Sequence, residues 1–164
     1  MTYDSLEEGL LQFLSGGKKT AILGIGNELR TDDGLGPYII SGLQISDPNL
    51  MIEDVGSVPE AFAKPLADFE AEKVILIDAA NMGKPVGHIE LVTKDRIGGI
   101  AISTHNMPLS LLMTYLEERS GAQTILLGVQ PRNVSFGEGL TRDIKPVAER
   151  VIKILENVWN RTRR

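Results

Sequence analysis

The segment 73–78, which reads KVILID, constrains the fold of this chain more than any other stretch. A strand with one face in water alternates apolar and polar residues, whereas an unbroken apolar run indicates a strand that is covered on both faces. Such strands occur in parallel sheets with helices packed on each side. The segment therefore predicts an α/β fold.

Strand and helix patterns alternate on both sides of this segment. Strands are predicted at 20–25, 51–55, 73–78, 87–92 and 124–129, and helices at 35–43, 59–69, 108–118 and 143–158. Only eight residues separate the third strand from the fourth. A parallel crossover needs about 10–12 residues, so we expect the fourth strand to run antiparallel or at an edge. The order predicts a three-layer α/β/α sandwich with a mostly parallel five-stranded sheet and one antiparallel strand.

The first 17 residues carry a separate helical pattern. Ser5 and Glu8 match a capping box, with Ser5 as the N-cap, and Gly16 and Gly17 are expected to stop the helix. A chain of 164 residues is long enough for one well-packed core. We therefore expect a single domain, 1–164, made of a helical extension at 1–17 and an α/β domain at 18–160. In the predicted helix 59–69, Pro65 is expected to cause a kink.

The composition excludes several classes of protein. The net charge of −5 argues against unspecific binding of nucleic acid and against docking on anionic lipid. The absence of cysteine excludes disulfides, thiolate zinc sites and a cysteine nucleophile. No signal-peptide pattern and no apolar run of membrane-spanning length is present. We expect a cytoplasmic protein without membrane insertion, and a monomer because no uncovered apolar segment demands a partner.

The segment 21–37, AILGIGNELRTDDGLGP, delivers two acidic residues to a glycine-rich turn after a strand. Aspartate is a favoured N-cap, so capping of the next helix is one explanation for either residue. Two adjacent side chains in a turn diverge, so both are not expected to serve one cap. One of Asp32 and Asp33 is therefore expected to cap, which leaves the other to bind a metal or polarise water.

Two further side chains are expected at the same rim of the sheet. Asp78 ends the strand 73–78, and His105 lies just ahead of the helix 108–118, where Thr104 or Asn106 is able to cap. A turn role for Asp78 and a structural role for His105 are the alternatives. One imidazole with carboxylates suits Ni²⁺, Zn²⁺, Mn²⁺ or Fe²⁺ and leaves coordination positions open. Spacing alone does not separate a site completed by a metal-bearing partner from one that activates water. His88 is assigned no role.

Other motifs fail. The run Gly24-Ile25-Gly26-Asn27-Glu28-Leu29 lacks the third glycine of a dinucleotide fingerprint, which leaves a nucleotide-binding domain as a minor alternative. No phosphate loop, nucleophile elbow or H-E-x-x-H helix is present.

Five ordered motifs resemble the [NiFe]-hydrogenase maturation endopeptidases over most of the chain, from Thr20 to Val158. The motifs are Gly24-x-Gly26-Asn27-x-Leu29-x-x-Asp32-Asp33-Gly34-x-Gly36, Gly56-Ser57-x-Pro59-Glu60, Ile77-Asp78-Ala79, Thr104-His105-Asn106-Met107-Pro108-Leu109 and Gly128-Val129-Gln130-Pro131. The fourth and fifth look most like the HycI-type branch.

This resemblance implies a specific reaction. Such enzymes remove a C-terminal extension from the hydrogenase large-subunit precursor after nickel insertion, so nickel arrives with the precursor. The metal-recognising positions of the family fall on Asp33, Asp78 and His105, so Asp32 is interpreted as the helix cap. Asp33 or Asp78 then serves as general base, or the metal itself assists hydrolysis. The rival hypothesis is a non-catalytic nickel-binding metallochaperone module.

The resemblance also suggests where the precursor peptide lies. Pro59, Glu60 and the loop 132–139 are expected to border the substrate groove. The glycines of the turn 24–36 are interpreted as room for a metal carried by the peptide.

Overall fold

A computed structural model describes residues 1–99 and 108–163 of the chain. The strands are β1 (Thr20–Ile25), β2 (Leu50–Gly56), β3 (Lys73–Ala79), β4 (Ile89–Val92) and β5 (Gln123–Val129). The α-helices are α1 (Tyr3–Leu14), α2 (Leu35–Gly42), α3 (Ala63–Phe69), α4 (Leu109–Ser120) and α5 (Lys145–Thr162). Short 3₁₀ helices are η1 (Thr31–Gly34), η2 (Pro59–Phe62) and η3 (Lys94–Gly99). Within the described residues, no helix is both long enough and apolar enough to span a bilayer.

The five strands form one mixed sheet in the order β2-β1-β3-β5-β4. Strands β2, β1, β3 and β5 are parallel to one another, and β4 pairs antiparallel with β5 at the edge, with Ile89 opposite Val129. The predicted class of fold is confirmed. The short connection after β3 leaves too little chain for a parallel crossover, and β4 accordingly lies beside β5 with reversed direction.

Alternate residues of the central strands face different helical layers, which explains the continuous apolar pattern in the sequence. On one face, Ile75 and Ile77 of β3 join a buried cluster with α1, α2 and α5. On the other face, Val74 and Leu76 join a cluster with α3 and α4. The residues of β3 from Val74 to Ala79 are therefore all buried, as the sequence of this strand predicts.

Helix α1 begins three residues earlier than the capping-box pattern predicts. Thr2 is the N-cap, since its Oγ1 accepts a hydrogen bond from the Ser5 backbone N–H at 3.0 Å. Ser5 lies inside the helix, and its hydroxyl contacts that of Thr2 at 2.8 Å. The buried side chains Leu6, Leu10 and Leu14 belong to the same core cluster as α5. Helix α1 is thus packed into the face of the sheet that α2 and α5 also cover.

The segment 59–69 is divided between two helix types. It starts as η2 and continues as α3 from Ala63. A proline inside an α-helix clashes with the carbonyl four residues earlier, which for Pro65 is that of Ala61. Ala61 belongs to η2, and Pro65 occupies the first turn of α3, where no intrahelical partner awaits its missing N–H. The structure shows this change of helix type at Ala63, and a kink at Pro65 itself stays a prediction.

Candidate active site at the carboxyl edge of the sheet

Three glycines allow strand β1 and the start of α2 to meet backbone against backbone. A Cβ on Gly36 would lie 2.4 Å from the Ile25 carbonyl oxygen, and one on Gly26 would lie 1.8 Å from that of Asp33. Gly24 faces the carbonyl of Gly36 in the same way. The interpretation of these glycines as room for a peptide-borne metal is therefore wrong, because the chain's own backbone fills that space. Their role is to hold η1 tightly against the end of β1.

Asp33 is held in a fixed orientation by the loop that follows β1. Its carboxylate is buried, and Oδ2 accepts a hydrogen bond from the Asn27 backbone N–H at 3.0 Å. The Asn27 side chain in turn accepts from the Leu29 N–H at 2.9 Å. The segment 27–29 therefore acts as a brace for the Asp33 carboxylate.

Asp78 is completely buried near the end of β3. The β1–β3 ladder ends at the pair Gly24 and Ile77, so Asp78 is the first residue of β3 beyond it, while it still lies opposite Gly128 of β5. The turn η1, which carries Asp33, contacts β3. Both predicted carboxylates therefore lie at the carboxyl edge of the sheet.

The imidazole of the predicted site falls outside the described residues. His105 belongs to the segment 100–107. Within 1–99 and 108–163, no group of three His, Cys, Asp or Glu side chains is placed to hold a metal ion. The metal-binding trio thus stays a prediction, with two of its three members located at one edge of the sheet.

Asp32 does not cap a helix, contrary to the sequence-based interpretation. The N-cap position of α2 is Gly34, and no side chain caps it. The Asp32 carboxylate is fully buried and accepts backbone N–H bonds from Arg132 at 3.0 Å, Asn133 at 3.1 Å and Thr141 at 2.8 Å. The Thr141 hydroxyl contacts both carboxylate oxygens, at 2.9 and 3.0 Å. Asp32 therefore anchors the loop 132–141, a partner about 100 residues away that no local pattern indicates.

The same loop is tied to η1 by backbone bonds as well. Thr31 donates its N–H to the Gly137 carbonyl at 2.8 Å, and Gly137 donates to the Leu29 carbonyl at 2.8 Å. The Arg30 Nε–H donates to the Val134 carbonyl at 3.1 Å. At the tip of this braced loop, the Phe136 side chain is 85% exposed. The loop is thus rigidly attached to the turn that carries Asp33, and it presents an aromatic ring to solvent.

Comparison with known proteins identifies the family. The model of the HycI hydrogenase maturation protease family matches residues 38–158. The chain belongs to the hydrogenase maturation protease family. The hydrogenase 3 maturation protease of Escherichia coli K12 is 34% identical over 82% of this chain and 87% of its own length. The predicted family and its HycI-type branch are confirmed.

Solved structures agree with this assignment. The crystal structure of the [NiFe] hydrogenase maturation protease HycI from Thermococcus kodakarensis KOD1 superposes with a TM-score of 0.84 at 29% identity, over 93% of this chain and 99% of that one. The solution structure of the endopeptidase HycI from Escherichia coli gives a TM-score of 0.72 at 32% identity, over 85% and 90%. The fold described above is therefore the fold of the hydrogenase maturation proteases.

The predicted substrate-contact residues of this maturation protease follow β2, the neighbour of β1. Pro59 is buried as the first residue of η2, whereas Glu60 is half-buried. Val58, just before them, is 54% exposed. Glu60 is accordingly the member of the predicted pair whose side chain reaches solvent, and its contact with substrate stays a prediction.

Sequence reasoning missed the role of Gln130 in the maturation protease. Its Oε1 accepts N–H bonds from Met82 at 2.6 Å and Lys84 at 3.3 Å, and its Nε2 donates to Asn81 Oδ1 at 3.2 Å. The short loop after Asp78, which looks flexible in sequence, is therefore fastened to the end of β5. The glutamine of the Gly-Val-Gln-Pro motif, directly after the predicted strand 124–129, was the available signal.

His88, which the sequence left without a role, lies next to the edge strand. Its Nε2 is 2.6 Å from Glu90 Oε1. This contact with Glu90 gives His88 a local structural role at the edge of the sheet.

Proposed function

We propose that this maturation protease removes the C-terminal extension of a [NiFe]-hydrogenase large-subunit precursor after nickel insertion, and that it recognises the nickel held by that precursor. The observation that carries the proposal is the placement of two buried carboxylates, Asp33 and Asp78, at one sheet edge in a chain of this family. Nickel is in this view part of the substrate.

The chemistry of the donor set supports recognition of a divalent metal. Carboxylate oxygens with one imidazole nitrogen suit Ni²⁺, and Zn²⁺, Mn²⁺ or Fe²⁺ are expected to compete for the same donors. Asp33 and Asp78 supply the carboxylates, and His105 is proposed to supply the imidazole. Burial strengthens the attraction between a carboxylate and a cation because little water lies between them to screen it. Three ligands from the protease leave positions for those of the precursor.

Peptide hydrolysis then requires a water, a base and a held carbonyl. Asp33 or Asp78 takes a proton from the water while the water oxygen adds to the scissile carbonyl carbon. The same carboxyl group then delivers this proton to the leaving amine as the C–N bond breaks. The brace from the Asn27 N–H keeps the Asp33 carboxylate oriented for such a transfer. The alternative is that the metal carried by the precursor polarises the scissile carbonyl, and that the two carboxylates only bind this metal.

A nickel-loaded precursor tested with three variants separates these roles. Asp33→Asn, Asp78→Asn and His105→Ala are incubated with the precursor, and cleavage is followed by mass spectrometry while complex formation is followed by gel filtration. Bound but uncleaved precursor indicates a catalytic role, and lost binding indicates recognition. The matched control is Asp68→Asn, which removes an exposed carboxylate paired with Lys64 on α3.

Two outcomes contradict the proposal. Normal cleavage by all three variants shows that the site is assigned wrongly. No mass shift of the precursor under any metal loading, with binding retained, favours the non-catalytic nickel-binding module. The protease is further expected to act as a monomer in the cytoplasm, which light scattering and cell fractionation test.

A further inference from the structure

The buried Asp32 carboxylate joins two parts of the active-site edge. On one side it belongs to η1, directly before Asp33, and on the other it receives the N–H groups of Arg132, Asn133 and Thr141. The Arg132 guanidinium does not bind the Asp32 carboxylate, because it pairs with Asp143 at 2.9 Å. The negative charge of Asp32 is therefore stabilised by the loop itself, through charge-assisted hydrogen bonds that require the loop in this one conformation.

The loop held in this way presents an apolar surface next to the site. Phe136 is 85% exposed and Leu29 is 49% exposed. The backbones of the two segments lie side by side, because the N–H of Gly137, the residue after Phe136, donates to the Leu29 carbonyl. An exposed aromatic ring on an immobilised loop is suited to bind an apolar side chain, since little conformational freedom remains to be lost on association.

We infer that Asp32 is a positioning residue for the maturation reaction: it fixes the loop 132–141 to η1 so that Phe136 binds an apolar side chain of the precursor while Asp33 faces the metal. The occupant is an extended segment of the precursor beside the cleaved bond. This inference rests on the proposed function and adds a contact that determines affinity for the precursor.

The variant Asp32→Asn tests the anchor without changing the shape of the side chain. One carboxylate oxygen accepts from Arg132 and Asn133, and the other from Thr141. Whichever way the new amide turns, its NH₂ group faces a backbone N–H, so at least one bond of the anchor is lost. Thr141→Val is a milder second variant, which removes only the hydroxyl contacts.

Steady-state cleavage of the nickel-loaded precursor is the assay. Phe136→Ala is expected to raise KM about tenfold with kcat little changed, as for an aromatic contact residue. Phe136→Leu restores part of the affinity. Asp32→Asn is expected to raise KM in the same direction, and Thr141→Val less. Asp32→Asn added to Phe136→Ala should have little further effect on KM, because the anchor acts through Phe136. Asp143→Asn, which removes only the Arg132 ion pair, should leave KM unchanged.

The outcomes separate the two proposals. If the wild type cleaves no nickel-loaded precursor, the proposed function and this inference both fail. If the wild type cleaves but Phe136→Ala leaves KM unchanged, only the inference fails. Equal, additive increases in KM from Asp32→Asn and Phe136→Ala also overturn it, since Asp32 would then act independently of the loop tip. Thermal melts of each variant show whether a change in KM accompanies loss of the fold.

Discussion

Replacement of Gly36 by alanine is expected to destabilise the protein, although helix propensity predicts the opposite. Gly36 is the second residue of α2, and alanine in place of glycine in a helix stabilises by up to about 1 kcal/mol. A Cβ at this position would lie 2.4 Å from the carbonyl oxygen and 2.6 Å from the nitrogen of Ile25. Both contacts are with the backbone of a buried strand, which is unable to rotate away. The structure therefore predicts a loss of stability for Gly36→Ala, where helix propensity alone predicts a gain.

The magnitude follows from the cost of overpacking. Inserting a methyl group into a close-packed site costs about 1–3 kcal/mol, and contact with backbone atoms on a central strand belongs at the upper end, about 3 kcal/mol. Subtracting a propensity gain of about 1 kcal/mol leaves a net loss of about 2 kcal/mol. For a chain of this size, that corresponds to a decrease in Tm of about 4–8 °C.

Gly42→Ala provides a matched control in the same helix. Its added Cβ would meet Ile152 Cδ1 at 2.5 Å, and that atom is the far end of a flexible side chain on α5. Neither glycine has a positive φ, so backbone strain does not separate them. Urea denaturation of both variants should show a clear loss for Gly36→Ala and a change within about 1 kcal/mol for Gly42→Ala. Gly36→Ala as stable as the wild type would refute the close approach of β1 and α2.

Two further predictions concern the core and the pH dependence of stability. Leu10→Ala should lower the free energy of unfolding, measured by urea denaturation, by about 2–5 kcal/mol, because Leu10 of α1 is fully buried. The control Gln12→Ala, at an exposed position of the same helix, should change it by no more than about 0.5 kcal/mol. Equal losses in the two variants would contradict the packing of α1 into the core. Burial raises the pKa of Glu117, but hydrogen bonds from Lys94 and Thr124 outweigh it and lower that pKa overall. The stability that Glu117 contributes is therefore complete above its unfolded-state pKa of about 4.3 and disappears as pH falls through the lower folded-state value. The difference in urea midpoint between wild type and Glu117→Gln should accordingly shrink below about pH 4.3, and a difference undiminished at pH 3 would contradict it.

The fold was predictable because its strongest signals are local and periodic. The buried run in β3 requires helices on both faces, and the eight residues between the predicted third and fourth strands rule out a parallel crossover. Neither signal identifies which strand β4 joins. Its pairing with β5 depends on contacts between segments that are distant in sequence, such as Ile89 with Val129. The layers and the reversed strand were therefore accessible from the sequence, whereas the order of the strands was not.

The candidate site shows the same division between local and distant contacts. Asp33 and Asp78 were identified because each follows a strand whose end faces the same edge of the sheet. The function of the turn glycines was misjudged, because the backbone that occupies the space beside Gly26 belongs to Asp33, seven residues later. The partners of Gln130 lie on the loop after β3, 46 to 49 residues away in sequence. Contacts of this kind leave no periodic pattern.

The adjacent acids Asp32 and Asp33 have different partners because of the helix type in which they lie. Turn η1 is a 3₁₀ helix with three residues per turn, so neighbouring side chains point about 120° apart. Asp32 consequently turns toward the loop 132–141, while Asp33 turns toward Asn27. In an identical pair of residues, the backbone alone decides which carboxylate holds the loop and which lies at the proposed metal site. Exchange of their partners would require η1 to rotate, and the close packing of Gly26 against the Asp33 backbone opposes that rotation.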